Sequence, residues 1–223
     1  MGIFIVCGVM KKRKQEKLLP KKICIILPDL NHASEDDMRN VDKLVVIDLE
    51  ATCWDNEGKS NLPRRDESEI IEIGICTLDL NTLEIEDSDG IIVKPYTSTV
   101  SEFCTQLTSL TQEDVDKGIP LPDACQILRK KYDSKNRVWA SYGQYDKNMF
   151  ERECLNKHIN YPFGGVHINI KGVVETIYSE SLGMARALEK MGIKLEGKHH
   201  RGVSDAYNIA KIYAQILTKL RVS

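Results

Sequence analysis

The chain has 223 residues, 42% hydrophobic and 29% charged, a size at which one domain or a small pair buries a core without staples. This composition excludes collagen-like, mucin-like and wholly disordered chains. Lys and Arg total 31 against 33 Asp and Glu, so any nucleic-acid binding must be local or helped by cations.

Residues 1–10 (MGIFIVCGVM) are apolar but far short of the about 20 residues that span a bilayer. Seven basic residues follow between positions 11 and 22, whereas a signal peptide carries its positive charge first. Val6 stands where a myristoylation motif has a hydroxyl. Residues 1–37 hold seven basic and five acidic residues, which leaves 24 and 28 in the other 186. Organised sequence begins after Met38. We read 1–37 as an N-terminal extension, disordered or not native, and 38–223 as one domain with no membrane association. Seven cysteines without a C-x-x-C pair fit reduced thiols in a cytoplasmic protein.

The short β-branched run 43–49 (KLVVIDL) predicts a strand buried on both faces. Residues 69–80 (EIIEIGICTLDL) predict a second strand, and 91–94 a third after the turn-rich EDSDG. Ser101 opens a helix with Phe103, Leu107 and Leu110 on one face. Thr111 and Asp114 form a short capped turn ending at Gly118. Pro122 starts a helix with Cys125, Leu128 and Tyr132 on one side. Residues 137–141 (RVWAS) read as a strand and 146–158 as a helix. In the last helix Val203, Ala206, Ala210, Tyr213, Leu217 and Leu220 make one apolar stripe. Strands first and helices alternating later imply an α/β fold, a mixed sheet with helices against its faces.

The acidic residues carry the chemistry. Asp48 and Glu50 end the first strand, and the period of two points both to one face. Two carboxylates there repel and lose hydration. A divalent cation with a taste for oxygen ligands would resolve that cost; solvation by a loop is the alternative. Asp146, after the strand at 137–141, reads alone as a helix N-cap, and Asp205 alone as helix-dipole chemistry. His200 precedes Asp205 by five residues across Gly202, and a neutral imidazole there could take a proton from water near pH 7. His199 competes for this role.

Taken in order, these residues resemble the DEDDh exonuclease superfamily. The stretches VVIDLEATCW, SEIIEIG, SEFCTQLTSLTQEDVD, YDKNMF and HHRGVSDAYNIA most resemble its 3′–5′ exoribonucleases of the enhanced-RNAi and histone-mRNA type, with their small bacterial relatives. The resemblance covers about residues 41–220 and implies a ribonuclease H-like fold, a mixed five-stranded sheet flanked by helices. It implies two divalent metal ions, Mg²⁺ or Mn²⁺, with Asp48, Glu50 and Asp205 holding one. Asp48 would bridge to the second, and Asp146 would reach it through water. His200 would be the general base, which its motif spacing favours over His199. Ala51, Thr52, Leu107 and Thr108 would lie beside the terminal nucleotide. Ser109 replaces the family's usual glycine there. The implied substrate is single-stranded nucleic acid, RNA rather than DNA, cut from the 3′ end. Trp54 and Tyr142 are candidates to stack bases, while Trp139, inside an apolar strand, reads as core. A DNA-directed exonuclease, an aspartyl phosphatase and a non-catalytic binding module are the rival readings.

Overall fold

The computed structural model describes residues 40–55 and 67–222. The expectation for residues 1–37 lies outside the described residues.

Five strands form one sheet in the order β3-β2-β1-β4-β5. They are β1 (Asn40–Ala51), β2 (Ile70–Asp79), β3 (Ile85–Ile92), β4 (Arg137–Ser141) and β5 (His167–Asn169). β1 runs antiparallel to β2, and β2 to β3; β1–β4 and β4–β5 are parallel. The helices are α1 (Glu102–Thr108), α2 (Gln112–Asp116), α3 (Leu121–Lys131), α4 (Tyr145–Asn156), α5 (Ile170–Tyr178), α6 (Met184–Met191) and α7 (Gly202–Val222).

The alternation of β1 divides the core. Val45, Ile47 and Leu49 face α3 and α4, whereas Leu44 and Val46 face α5, α6 and α7. Asp48 and Glu50 continue the second set, so their carboxylates point to the α7 side. The α7 stripe meets this face through Ala206, Ala210 and Tyr213, joined by Ile209, Ile212 and Ile216. The Thr111–Asp114 capping box forms as the sequence predicts, and Ser101 caps α1 by accepting from Cys104 N–H.

Three expectations need correction. The third strand covers Ile85–Ile92, not 91–94, and EDSDG lies within it. An edge strand pairs through its backbone on one side, so polar side chains can point to water, and Asp87, at φ 49°, absorbs the local irregularity. Phe103 is exposed, because α1 buries Cys104 and Thr108 instead. β5, α5 and α6 were not resolved from the sequence; β5 is three residues long, too short to show a period.

Candidate active site

Two glycines set the site's depth. Gly74 on β2 lies opposite Asp48, and a Cβ built there would fall 1.8 Å from the Gly202 carbonyl carbon. A Cβ on Gly202 would fall 2.8 Å from Gly74 N and 3.1 Å from Asp48 O. Backbone therefore touches backbone where α7 begins, which brings Asp205, in its first turn, onto the end of β1. A register irregularity between Glu50 and Ala51 re-aims the strand end at the same place.

The result is a convergence of carboxylates. Oxygens of Asp48, Glu50 and Asp205 all lie within 4.8 Å of one another. Asp146, in the first turn of α4, is buried, and its Oδ1 accepts the Leu49 N–H at 3.1 Å, which ties α4 to β1 beside Asp48. Among the described residues no Lys or Arg pairs with Asp48, Glu50 or Asp146. Burial pushes the Asp48 carboxyl well up, with the charges of Asp146 and Glu50 adding to it. Burial, then Asp205 and Glu72, push Glu50 up to about 8. Burial raises Asp146 to about 6, against the hydrogen bond from Leu49 N–H.

Asp205 is held from one side only. Its Oδ2 accepts the His200 N–H at 2.9 Å and lies 2.9 Å from His199 Nδ1. Its Oδ1 is buried with no hydrogen-bond partner. Such an orphaned oxygen costs about 1–3 kcal/mol unless something satisfies it. A divalent cation fits: the donors are all oxygen, they converge, and no Lys or Arg among the described residues pairs with them. His200 has φ 63° and stacks on His199 at 4.0 Å. Burial and the neighbouring His199 lower its pKa against the pull of Asp205. Its imidazole is thus neutral at pH 7 and able to accept a proton.

Of the predicted nucleotide-side residues, Ala51 and Thr52 follow Glu50 directly, and α1, which carries Leu107 and Thr108, is tied to Ala51 O by Cys104 Sγ at 3.5 Å. Thr52 is fully buried, with Oγ1 shared between Ser98 Oγ and the Glu69 N–H. Thr108 Oγ1 donates to Cys104 O and accepts from Leu110 N–H. Both hydroxyls are therefore engaged within the protein, and both side chains are fully buried. Ala51 is buried and Leu107 half-buried beside them. Despite its burial, the Lys157 ammonium and the N–H groups of Tyr96, Thr97 and Ser98 hold Glu69 down to about 2, which fixes the loop against Thr52. Ser109 adopts φ 63°, the left-handed backbone that glycine would take there. Trp139 is buried against Phe163, in line with its reading as core. Tyr142 donates its hydroxyl to Leu182 O. Trp54 is half-buried just past β1.

One pair went unread in the sequence. Glu72, wholly buried opposite Glu50, accepts from Arg201 Nε and Nη2, both at 3.1 Å, and from Gly202 N–H at 3.0 Å. The signal was an acidic residue inside the otherwise apolar strand EIIEIGIC.

Comparison with known proteins places the chain among exonucleases. The RNase T family model, described as exonuclease, matches residues 45–213. The human 3′-5′ exoribonuclease 1 is 32% identical over 227 residues, covering 95% of this chain and 61% of that protein. The chain thus spans about three fifths of that relative's length. The nuclease domain of 3′hExo, a DEDDh family member bound to rAMP, superposes with TM-score 0.70 at 29% identity, over 80% of this chain and 92% of that one. A structure of 3′-exonuclease in 3′-end specific recognition of histone mRNA stem-loop gives 0.69 at 28% identity, over 85% and 68%. The chain belongs to the RNase T exonuclease family, whose model spans most of its length.

Proposed function

We propose that this chain removes nucleotides from the 3′ end of single-stranded RNA or short 3′ overhangs by hydrolysing the terminal phosphodiester. The observation that carries this reading is the meeting of Asp48, Glu50 and Asp205 with no Lys or Arg partner among the described residues and with Asp205 Oδ1 left unsatisfied. Asp48, Glu50 and Asp205 would hold one Mg²⁺ or Mn²⁺, and Asp48 with Asp146 a second. Bound divalent cations supply Lewis acidity to the phosphate oxygens and to the attacking water.

The chain's own groups do the rest. His200, neutral at pH 7, accepts the attacking water's proton on its imidazole nitrogen. Asp205 fixes the backbone of His200 through its Oδ2. Ala51, Thr52, Leu107 and Thr108 form the wall against which the terminal nucleotide lies, and Trp54 offers a face for a base. The names of the relatives support RNA over DNA as substrate. No helix among the described residues is long and apolar enough to cross a membrane. The five cysteines among the described residues are free thiols, which supports a reducing, cytoplasmic setting.

The test uses 5′-labelled RNA and DNA oligonucleotides with Mg²⁺, Mn²⁺ or chelator. The expected result is a ladder shortening from the 3′ end, faster on RNA, lost on chelation and in Asp48→Ala. Intact oligonucleotides under all conditions, bound but uncut, would make the chain a binding module.

A further inference from the structure

We propose that Glu72 is a positioning residue for this reaction, clamping Arg201 and Gly202 so that His200 is aimed at the carboxylate cluster. The proposal rests on His200 as proton acceptor.

The His200 ring is held only indirectly. It stacks on His199, and its backbone N–H donates to Asp205. Its φ of 63° is a conformation that non-glycine residues keep only where the surroundings impose it. Besides Asp205 at its own N–H, the chain just after His200 is the second point of restraint. Arg201 is the following residue, and its guanidinium lies in a two-pronged contact with the Glu72 carboxylate. Glu72 also takes the Gly202 N–H, and Arg201 O accepts the Asp205 N–H at 2.9 Å. One carboxylate thus holds the Arg201 side chain and the Gly202 N–H, the stretch that joins His200 to α7.

Glu72 is built for this task rather than for holding metal. It stands on the same sheet face as Glu50, directly across the strand pair. Unlike Glu50, it has its counter-charge and three N–H donors within the protein. A carboxylate so satisfied gains little from a cation. Room for it is made by Gly90 on β3, where a Cβ would fall 2.9 Å from Glu72 Oε1. Arg is needed at 201 because a planar fork matches a carboxylate at two points, which a lysine ammonium cannot do.

The experiment compares Glu72→Gln, Arg201→Lys and the uncharged pair Glu72→Gln/Arg201→Met with wild type. Expected for Glu72→Gln is a ten- to hundredfold lower kcat, with KM for RNA and Mn²⁺ affinity by calorimetry within threefold. In a His200→Ala background the same substitution should cost less than twofold, since its effect runs through His200. An equal cost in both backgrounds, or a loss carried by KM, would overturn the proposal. Arg201→Lys should lose three- to tenfold in kcat; a wild-type value there would overturn it. If Glu72→Gln fails to fold, the uncharged pair takes its place with the same expectations. In the metal-free protein the ¹H–¹³C signals of the His200 ring should shift or broaden in Glu72→Gln, and unchanged signals would refute the clamp. That measurement stands even if the wild type proves inactive, an outcome that would overturn the functional reading alone.

Discussion

Replacing Glu50 by glutamine should stabilise the metal-free protein, and by an amount that grows with pH. Burial and the charges of Asp205 and Glu72 raise the Glu50 carboxyl from 4.5 to about 8. The native state therefore keeps a proton that the unfolded chain releases. The stability contributed by this group is complete below about pH 4.5 and is lost as pH rises towards about 8. At 1.36 kcal/mol per pH unit, the loss reaches about 3 kcal/mol at pH 7 and about 1 kcal/mol at pH 5. Glutamine carries no such load. In chelator, Glu50→Gln should therefore outlast wild type by about 6–12 °C in melting temperature at pH 7, and by only a few degrees at pH 5. Added Mg²⁺ or Mn²⁺ should reverse the order at pH 7, since wild type gains a cation and the variant does not. Scanning fluorimetry at the two pH values, with and without metal, measures all four quantities. An advantage for Glu50→Gln that is equal at pH 5 and pH 7 would refute the electrostatic reasoning, as would equal stabilisation of both proteins by metal.

Three further outcomes follow from the same geometry. His200→Ala should keep Mn²⁺ affinity within threefold while kcat falls by about 10²–10⁴, the usual worth of a positioned base; if His199→Ala shows that pattern instead, the two histidines exchange roles. Gly74→Ala, whose methyl would fall 1.8 Å from the Gly202 carbonyl carbon, should cost about 1–3 kcal/mol in urea unfolding. It should also weaken Mn²⁺ binding more than tenfold as Asp205 is displaced, while Gly165→Ala, with open space around it, leaves binding unchanged. Ser109→Gly should stabilise the fold by about 0.5–1 kcal/mol in thermal melts, because glycine takes the φ of 63° without a Cβ penalty; a destabilised variant would show that the Ser109 hydroxyl outweighs the backbone cost.

Much of the site was legible in the chain because its determinants are local. A period of two puts Asp48 and Glu50 on one face whatever the sheet does, and the apolar stripe of α7 fixes which side of that helix meets it. The Thr111–Asp114 box, the Ser101 cap and the strand at Arg137–Ser141 are likewise set within a few residues. Elements that depend on partners were harder to read. β3 is a polar edge strand made by pairing with β2, and Phe103 is left outside because α1 turns Cys104 and Thr108 inward. α6 buries Met184, Ala187, Leu188 and Met191 at helical spacing, but over only eight residues.

The opening charge count gains its meaning from the same division. The sequence alone determines an acidic domain with two carboxylates on one face at the end of a buried strand, whose charge either a divalent cation or a solvating loop would answer. Only the tertiary structure decides that Asp205 joins Asp48 and Glu50 while Glu72, equally acidic and next to them, is bound by Arg201 and Gly202 instead. That choice depends on where Arg201 lands, which follows from two glycines letting α7 meet β2 backbone to backbone. Contacts between residues more than a hundred positions apart leave no periodic mark in a chain, so the pairing of Glu72 with Arg201 becomes visible only when the sheet and α7 are assembled.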